Sequence, residues 1–204
     1  MRRYILTLLV SLMSLAASAQ SEQQIIDKIN NNSAKIKTLS CDFVQTKQME
    51  MLNNKFVSKG KMYYEQPNKL RWEYTTPYSY TFLMNDSKVL IKNNNRSDII
   101  DINQNKMFKE IARLMMNSIV GESLNNRRTF DVAIVSNDKQ YVATLTPLER
   151  EMKQMWSKIM LYFDKVTLGV VKVEMVERTG DKTTIELKNI VVNGTIKPGV
   201  FAIN

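Results

Sequence analysis

Histidine is absent from this 204-residue chain, and cysteine occurs once, at Cys41. The first absence removes the commonest general base and the commonest metal ligand together. The second forbids an intrachain disulfide, and Cys41 is expected to be buried as a small apolar group. Glycine is sparse, with six residues, and none of them forms a Gly-rich phosphate loop or a nucleophile elbow. Carboxylates are scattered rather than clustered. We therefore expect no enzyme, no cofactor and no metal. Repeats, low-complexity linkers and domain boundaries are also missing.

The one apolar run of note lies at the start. Arg2 and Arg3 precede Ile5 to Leu15, and Ala17-Ser18-Ala19 follows with the small-x-small pattern of a cleavage site. The run is short for a bilayer span, so the expectation is a cleaved signal peptide over 1–19. A single domain over 20–204 would remain, and losing the two arginines lowers the net charge from +9 to +7. Leu39-Ser40-Cys41 superficially resembles a lipidation box, but polar residues from Asn30 to Lys37 precede it. The mature protein is expected to be soluble and exported.

The excess of Lys and Arg is spread along the chain, often alternating with apolar residues, as in Lys59-Gly60-Lys61 and Lys88 to Lys92. The favoured reading is the solvated outer face of strands. The sharper alternative is attraction to an anionic membrane surface or an acidic partner. No nucleic-acid motif is present, and no nucleic-acid partner is expected.

Glu22 to Lys37 carries Ile25, Ile26, Ile29 and Ile36 at near-helical spacing behind a Ser21 cap. Strand-like runs follow: Ser40 to Met51, Phe56 to Glu65, Lys69 to Thr75, Ser79 to Met84 and Lys88 to Lys92. Asn53-Asn54, Asn85-Asp86 and Asn93-Asn94-Asn95 punctuate them with residues that tolerate the left-handed conformation of tight turns. Between Ile102 and Gly121 the pattern turns helical, with an unusually wide apolar stripe. Strands resume at Phe130 to Ser136, Gln140 to Thr146, Ser157 to Asp164, Val170 to Arg178 and Thr183 to Val192. A helical turn is expected around Glu149 to Lys153 and a short last strand near Phe201. About ten antiparallel strands of this length curl into a barrel or half-barrel.

Gly60 to Asp86 is the most unusual stretch. Leu70, Trp72 and Tyr74 alternate with Arg71, Glu73 and Thr75, and beyond Pro77 Tyr78, Tyr80, Phe82 and Met84 alternate with Ser79, Thr81 and Leu83. Side chains alternate across a strand, so each run puts a row of large groups on one face. Such a surface fits something long and apolar.

Phe43-x-Gln45 after an amphipathic helix, then Gly60, Pro67, Arg71-Trp72-Glu73-Tyr74 and Pro77, resembles the periplasmic outer-membrane lipoprotein carrier family, the LolA-like proteins. Thr144-Leu145-Thr146-Pro147, the Ile159 to Asp164 strand and Phe201 extend the resemblance over nearly the whole mature chain. It implies a mainly β, α+β fold: an incomplete antiparallel β-barrel closed by an N-terminal helix and a mid-chain helical lid around an apolar cavity. It also implies a monomeric periplasmic chaperone that ferries lipoproteins from inner to outer membrane. Its partners would be acylated lipoproteins as cargo, an inner-membrane ABC-type release complex and an outer-membrane acceptor.

On that reading Trp72, Tyr74, Tyr80, Phe82, Met84, Phe108, Ile111, Met115 and Ile119 line the acyl-chain cavity. The last four would belong to the lid. Family members carry an Arg before the Pro of this motif that helps hold the lid shut. Here the position is Gln66, the candidate latch, which lacks charge and the guanidinium fork. Phe43 and Gln45 read as structural, with Gln45 expected to pair a backbone group under the first helix. A lipid-sensing regulatory protein and a peptide-binding half-barrel are the alternatives.

Overall fold

The computed structural model describes residues 22–104, 116–117, 124 and 127–203. The expected leader, the Ser21 cap and most of the expected mid-chain helix, including Phe108, Ile111, Met115 and Ile119, lie outside the described residues.

A helix over 22–33 (α1) precedes eleven strands. These are β1 (Thr38–Met49), β2 (Asn54–Glu65), β3 (Lys69–Thr76), β4 (Tyr80–Asn85), β5 (Lys88–Asn93), β6 (Ser97–Asp101), β7 (Phe130–Ser136), β8 (Gln140–Pro147), β9 (Trp156–Asp164), β10 (Val170–Glu177) and β11 (Lys182–Val192). A short helix, α2 (Arg150–Met155), links β8 to β9. All strands join one antiparallel sheet in the order β6-β5-β4-β3-β2-β1-β11-β10-β9-β8-β7. The first and last strands meet at its centre, while β6 and β7 stand at its unpaired edges. The result is an incomplete barrel with helices.

Local chemistry explains the turns. Asn53 and Asp86 adopt φ of 48° and 54°, and Gly180 adopts 94°. These are the left-handed positions that Asn, Asp and Gly occupy at least cost.

Three sequence expectations need correction. α1 stops at 33 rather than at Lys37, where the Ser33 hydroxyl donates to the Ile29 carbonyl at 2.9 Å and the chain turns into β1. β6 is an additional strand: five residues with two adjacent isoleucines give too short an alternation to read, but it pairs with β5 through Val89↔Ile100 and Leu90↔Ile99. The segment around Phe201 is not a strand. It lies as a turn over the convex face, where Phe201 packs with Leu83 and Leu90.

That second, smaller cluster clarifies Arg71. Its guanidinium pairs with Glu73 at 2.9 Å and donates to the Val200 carbonyl at 3.4 Å, while Asn85 Nδ2 donates to the Phe201 carbonyl at 3.1 Å. Arg71 therefore anchors the C-terminal tail on the outer face.

The main core lies on the concave face. α1 spans one end of it, burying Ile26 and Ile29, and Ile36 is buried just beyond the helix. Its ties run from the β7 edge to the β9–β10 turn: the Ile134 amide donates to Glu22 (3.1 Å), and Asn32 Nδ2 donates to the Thr167 carbonyl (3.1 Å). Beyond the helix, the Gln66 amide donates to the Lys37 carbonyl (2.8 Å). Asn193 clasps the link, accepting from the Lys37 amide at 2.7 Å and donating to the Lys35 carbonyl at 3.0 Å.

Candidate functional site

The candidate site is the inner surface of the curled sheet. Alternation in β1 turns Leu39, Cys41 and Phe43 inward, and pairing in register aligns them with Tyr64, Met62 and Gly60 of β2. β3 and β4 continue the row as Leu70↔Met84, Trp72↔Phe82 and Tyr74↔Tyr80. On the other half, Val132, Ala143, Leu145, Ile159, Leu161, Ile185 and Leu187, with one aromatic ring from Phe163, supply a mainly aliphatic wall.

The residues of the sequence motif meet here. Phe43 stacks on Trp72 with ring centroids 4.4 Å apart and meets Tyr74 edge-on at 5.1 Å. Gly60 makes this possible: a Cβ there would lie 1.9 Å from the Glu73 carbonyl oxygen and 2.6 Å from the Phe43 ring. The Tyr74 hydroxyl donates to Gln45 Oε1 at 2.9 Å. Gln45 thus binds a side chain of the aromatic row, not a backbone group under α1. Burial pushes the Tyr74 hydroxyl up to about 12 and raises that of Tyr80. The indole nitrogen of Trp72 is buried near the Tyr74 hydroxyl and completes no hydrogen bond of ordinary geometry among the described residues.

The structure places Trp72, Tyr74, Tyr80, Phe82 and Met84 together on this concave face. Trp72, Phe82 and Met84 are buried, whereas Tyr74 and Tyr80 are half-buried. Tyr78, in the β3–β4 turn, faces solvent. Gln66 is distant in register from Tyr74, at the α1 end of the sheet, and its side chain makes no hydrogen bond among the described residues. Ile102, Met116 and Leu124, from the stretch joining the two sheet edges, are buried in the same concave cluster.

Sequence reasoning missed the aliphatic half of this surface. Ile134, Val173 and Met175 are half-buried against the same cluster, as are Trp156 beside them and Ile91 next to Phe82 on the aromatic half. Their strands carry ordinary β-branched and aliphatic residues, so only their shared facing distinguishes them. Chemically, the surface offers dispersion contacts, apolar burial and a few aromatic-borne donors. No helix among the described residues is long and apolar enough to cross a membrane.

Comparison with known proteins agrees with this architecture. A curated outer-membrane lipoprotein carrier protein from Methylococcus capsulatus is 24% identical over 200 residues, spanning 98% of this chain and 91% of that one. Among solved structures, the Pseudomonas aeruginosa MucA/MucB complex matches with a TM-score of 0.53 at 9% identity, covering 89% of this chain and 60% of that one. The Mycobacterium tuberculosis lipoprotein LppX matches with a TM-score of 0.51 at 9% identity, covering 86% and 98%. These two likenesses establish a shared fold. Residues 34–204 match the family described as outer membrane lipoprotein carrier protein LolA, and the chain belongs to that family.

Proposed function

We propose that this protein is a soluble periplasmic carrier that shelters lipoprotein acyl chains against its concave face and ferries them from inner to outer membrane. The observation that carries the reading is the continuous apolar wall from Ile91 through Trp72 and Phe43 to Leu161, in a chain of the lipoprotein carrier family. A cleaved leader over 1–19, a single carrier domain over 20–204, an inner-membrane ABC-type release complex and an outer-membrane acceptor complete the reading. Its function is binding and release, without catalysis.

Acyl burial gains roughly 0.8 kcal/mol per methylene, so a chain of about 14 methylenes gains on the order of 11 kcal/mol gross. Release then requires an offset. Side chains that already fill the concavity supply one, because cargo must displace them before making its own contacts. Phe108, Ile111, Met115 and Ile119 are the proposed lid, Gln66 its candidate latch, and the Trp72 indole a donor for a cargo carbonyl. Methionine suits such a surface, since its flexible thioether repacks against many shapes.

Titration with a fluorescent fatty-acyl probe tests the reading. Wild-type protein should bind saturably, and Ile91→Asp or Met175→Asp, at half-buried positions, should weaken binding more than tenfold while leaving the circular-dichroism spectrum intact. Unchanged binding in both variants would refute the concave face as the acyl site. Retained capture of an extended peptide by a protein that binds no acyl probe would favour strand addition at the β6 or β7 edge.

A further inference from the structure

Exposed large apolar side chains occur at both ends of the half-barrel, with Val135, Val166, Val191 and Val192 toward the α1 end and a larger set on the opposite rim. α1 covers one end. At the other, the tip joining β1 to β2 exposes Met51 (91%) and Leu52 (59%), and Phe56 and Val57 are exposed at the start of β2. Tyr78 projects from the β3–β4 turn on the same rim, Leu148 precedes α2 and Met155 ends it. Large apolar side chains exposed in connecting loops cost solubility, and four of them (Met51, Leu52, Tyr78 and Leu148) with three more at the adjoining element ends mark this rim as a surface that meets something apolar.

Hydrogen bonds make part of this rim a continuous edge. The Glu50 amide donates to Asp181 at 3.0 Å, and Lys47 pairs with Glu177 at 3.1 Å, joining the β1–β2 tip to the β10–β11 tip. The Arg178 amide then donates to the Met155 carbonyl at 3.2 Å, joining that tip to α2. Between these last two lies an open cleft of about 580 Å³ lined by Leu148, Arg150, Lys153, Gln154 and Arg178. All three cations are exposed and outside any ion pair among the described residues. Glu149 accepts from the Thr129 hydroxyl at 2.9 Å, leaving Glu151 as the neighbouring acid on α2.

We propose that this rim is a docking edge for an anionic phospholipid bilayer. The apolar tips would enter the headgroup boundary, and the Arg150–Lys153–Arg178 cleft would seat a lipid phosphate. A membrane is the occupant favoured over an acidic protein because the apolar groups stand on several projecting tips along a line, flanked by cations. That pattern suits the headgroup–acyl boundary better than a single protein groove. The net charge, +7 once the expected leader is removed, adds long-range attraction of the same sign. The edge is distinct from the concave face, and its test uses no cargo.

Co-sedimentation with phosphatidylcholine vesicles, with and without phosphatidylglycerol, is the experiment. Wild-type protein should bind the phosphatidylglycerol vesicles, release at high salt, and ignore phosphatidylcholine alone. Reversing the cleft charges (Arg150→Glu, Lys153→Glu, Arg178→Glu) should weaken binding by at least about a hundredfold, as expected for three juxtamembrane cations. Met51→Ser with Leu52→Ser should weaken it without changing the salt dependence. The charge-matched control Lys35→Glu, Lys37→Glu, Lys139→Glu, at the α1 end, should lose far less. Failure of wild-type protein to bind the anionic vesicles overturns the proposal, as does equal loss in the two charge-reversed proteins. Capture by immobilised polyglutamate but not by vesicles would overturn it in favour of an acidic protein.

Discussion

Gly60→Ala should destabilise this protein far more than adding one methyl group ordinarily does. A Cβ at this position would sit 1.9 Å from the Glu73 carbonyl oxygen, over an ångström inside ordinary contact, and 2.6 Å from the Phe43 ring. Backbone cannot swing aside as a side chain can, so β2 and β3 must separate where their register already shifts between Lys59 and Gly60. Losing one or two ladder hydrogen bonds costs about 1 kcal/mol each. Displacing Phe43 from Trp72 and Tyr74 costs about 1 kcal/mol more. Together these give about 2–3 kcal/mol, or a fall in Tm of roughly 4–12 °C for a domain of this size. Thermal and urea unfolding followed by circular dichroism supply the measurement. Phe43→Leu combined with Gly60→Ala should recover only the ring's share, because the Glu73 contact persists. A melting point within about 2 °C of wild type would refute the close-approach argument.

Tyr74→Phe should cost about 1 kcal/mol through the lost bond to Gln45, and a double-mutant cycle with Gln45→Leu should return most of that as coupling. Burial, assisted by the Asp42 charge, pushes the Cys41 thiol from 9.0 up to about 12, so it should resist thiol reagents at pH 8 until the protein unfolds. Cys41 and Tyr74 both hold their protons more tightly when folded than when unfolded. Their contribution is therefore intact below about pH 9 and is lost as pH rises through the range from 9.0 to about 12. Melting temperature should fall across that window, and Cys41→Ala should flatten its lower part. Phe201→Ala should cost about 3 kcal/mol and free the C-terminal tail, read as faster proteolysis beyond residue 193.

Much of the sheet is legible because its strands obey a simple alternation. Trp72, Tyr74, Tyr80 and Phe82 share a face in sequence and in structure, and Asn53, Asp86 and Gly180 mark turns through their tolerance of positive φ. The features that escaped depend on contacts between distant segments. Leu83 and Leu90 break the expected polar outer face, and only the tail carrying Phe201 explains why they are buried there. β6 is too short to display a period, yet its register with β5 fixes it. Gln45 is one polar residue among many in β1 until the β1–β2 and β2–β3 registers bring Tyr74 to it. The aliphatic half of the candidate site was hidden for the same reason: Ile159 and Leu161 look like any buried strand residues.

The most direct test of the acyl-carrier account is native mass spectrometry, with lipid extraction, on mature protein purified gently from the periplasm of its own host. The account predicts co-purifying lipoprotein or phospholipid that is lost in the Ile91→Asp protein. A clean protein mass that remains unliganded after incubation with solubilised lipoprotein would contradict it.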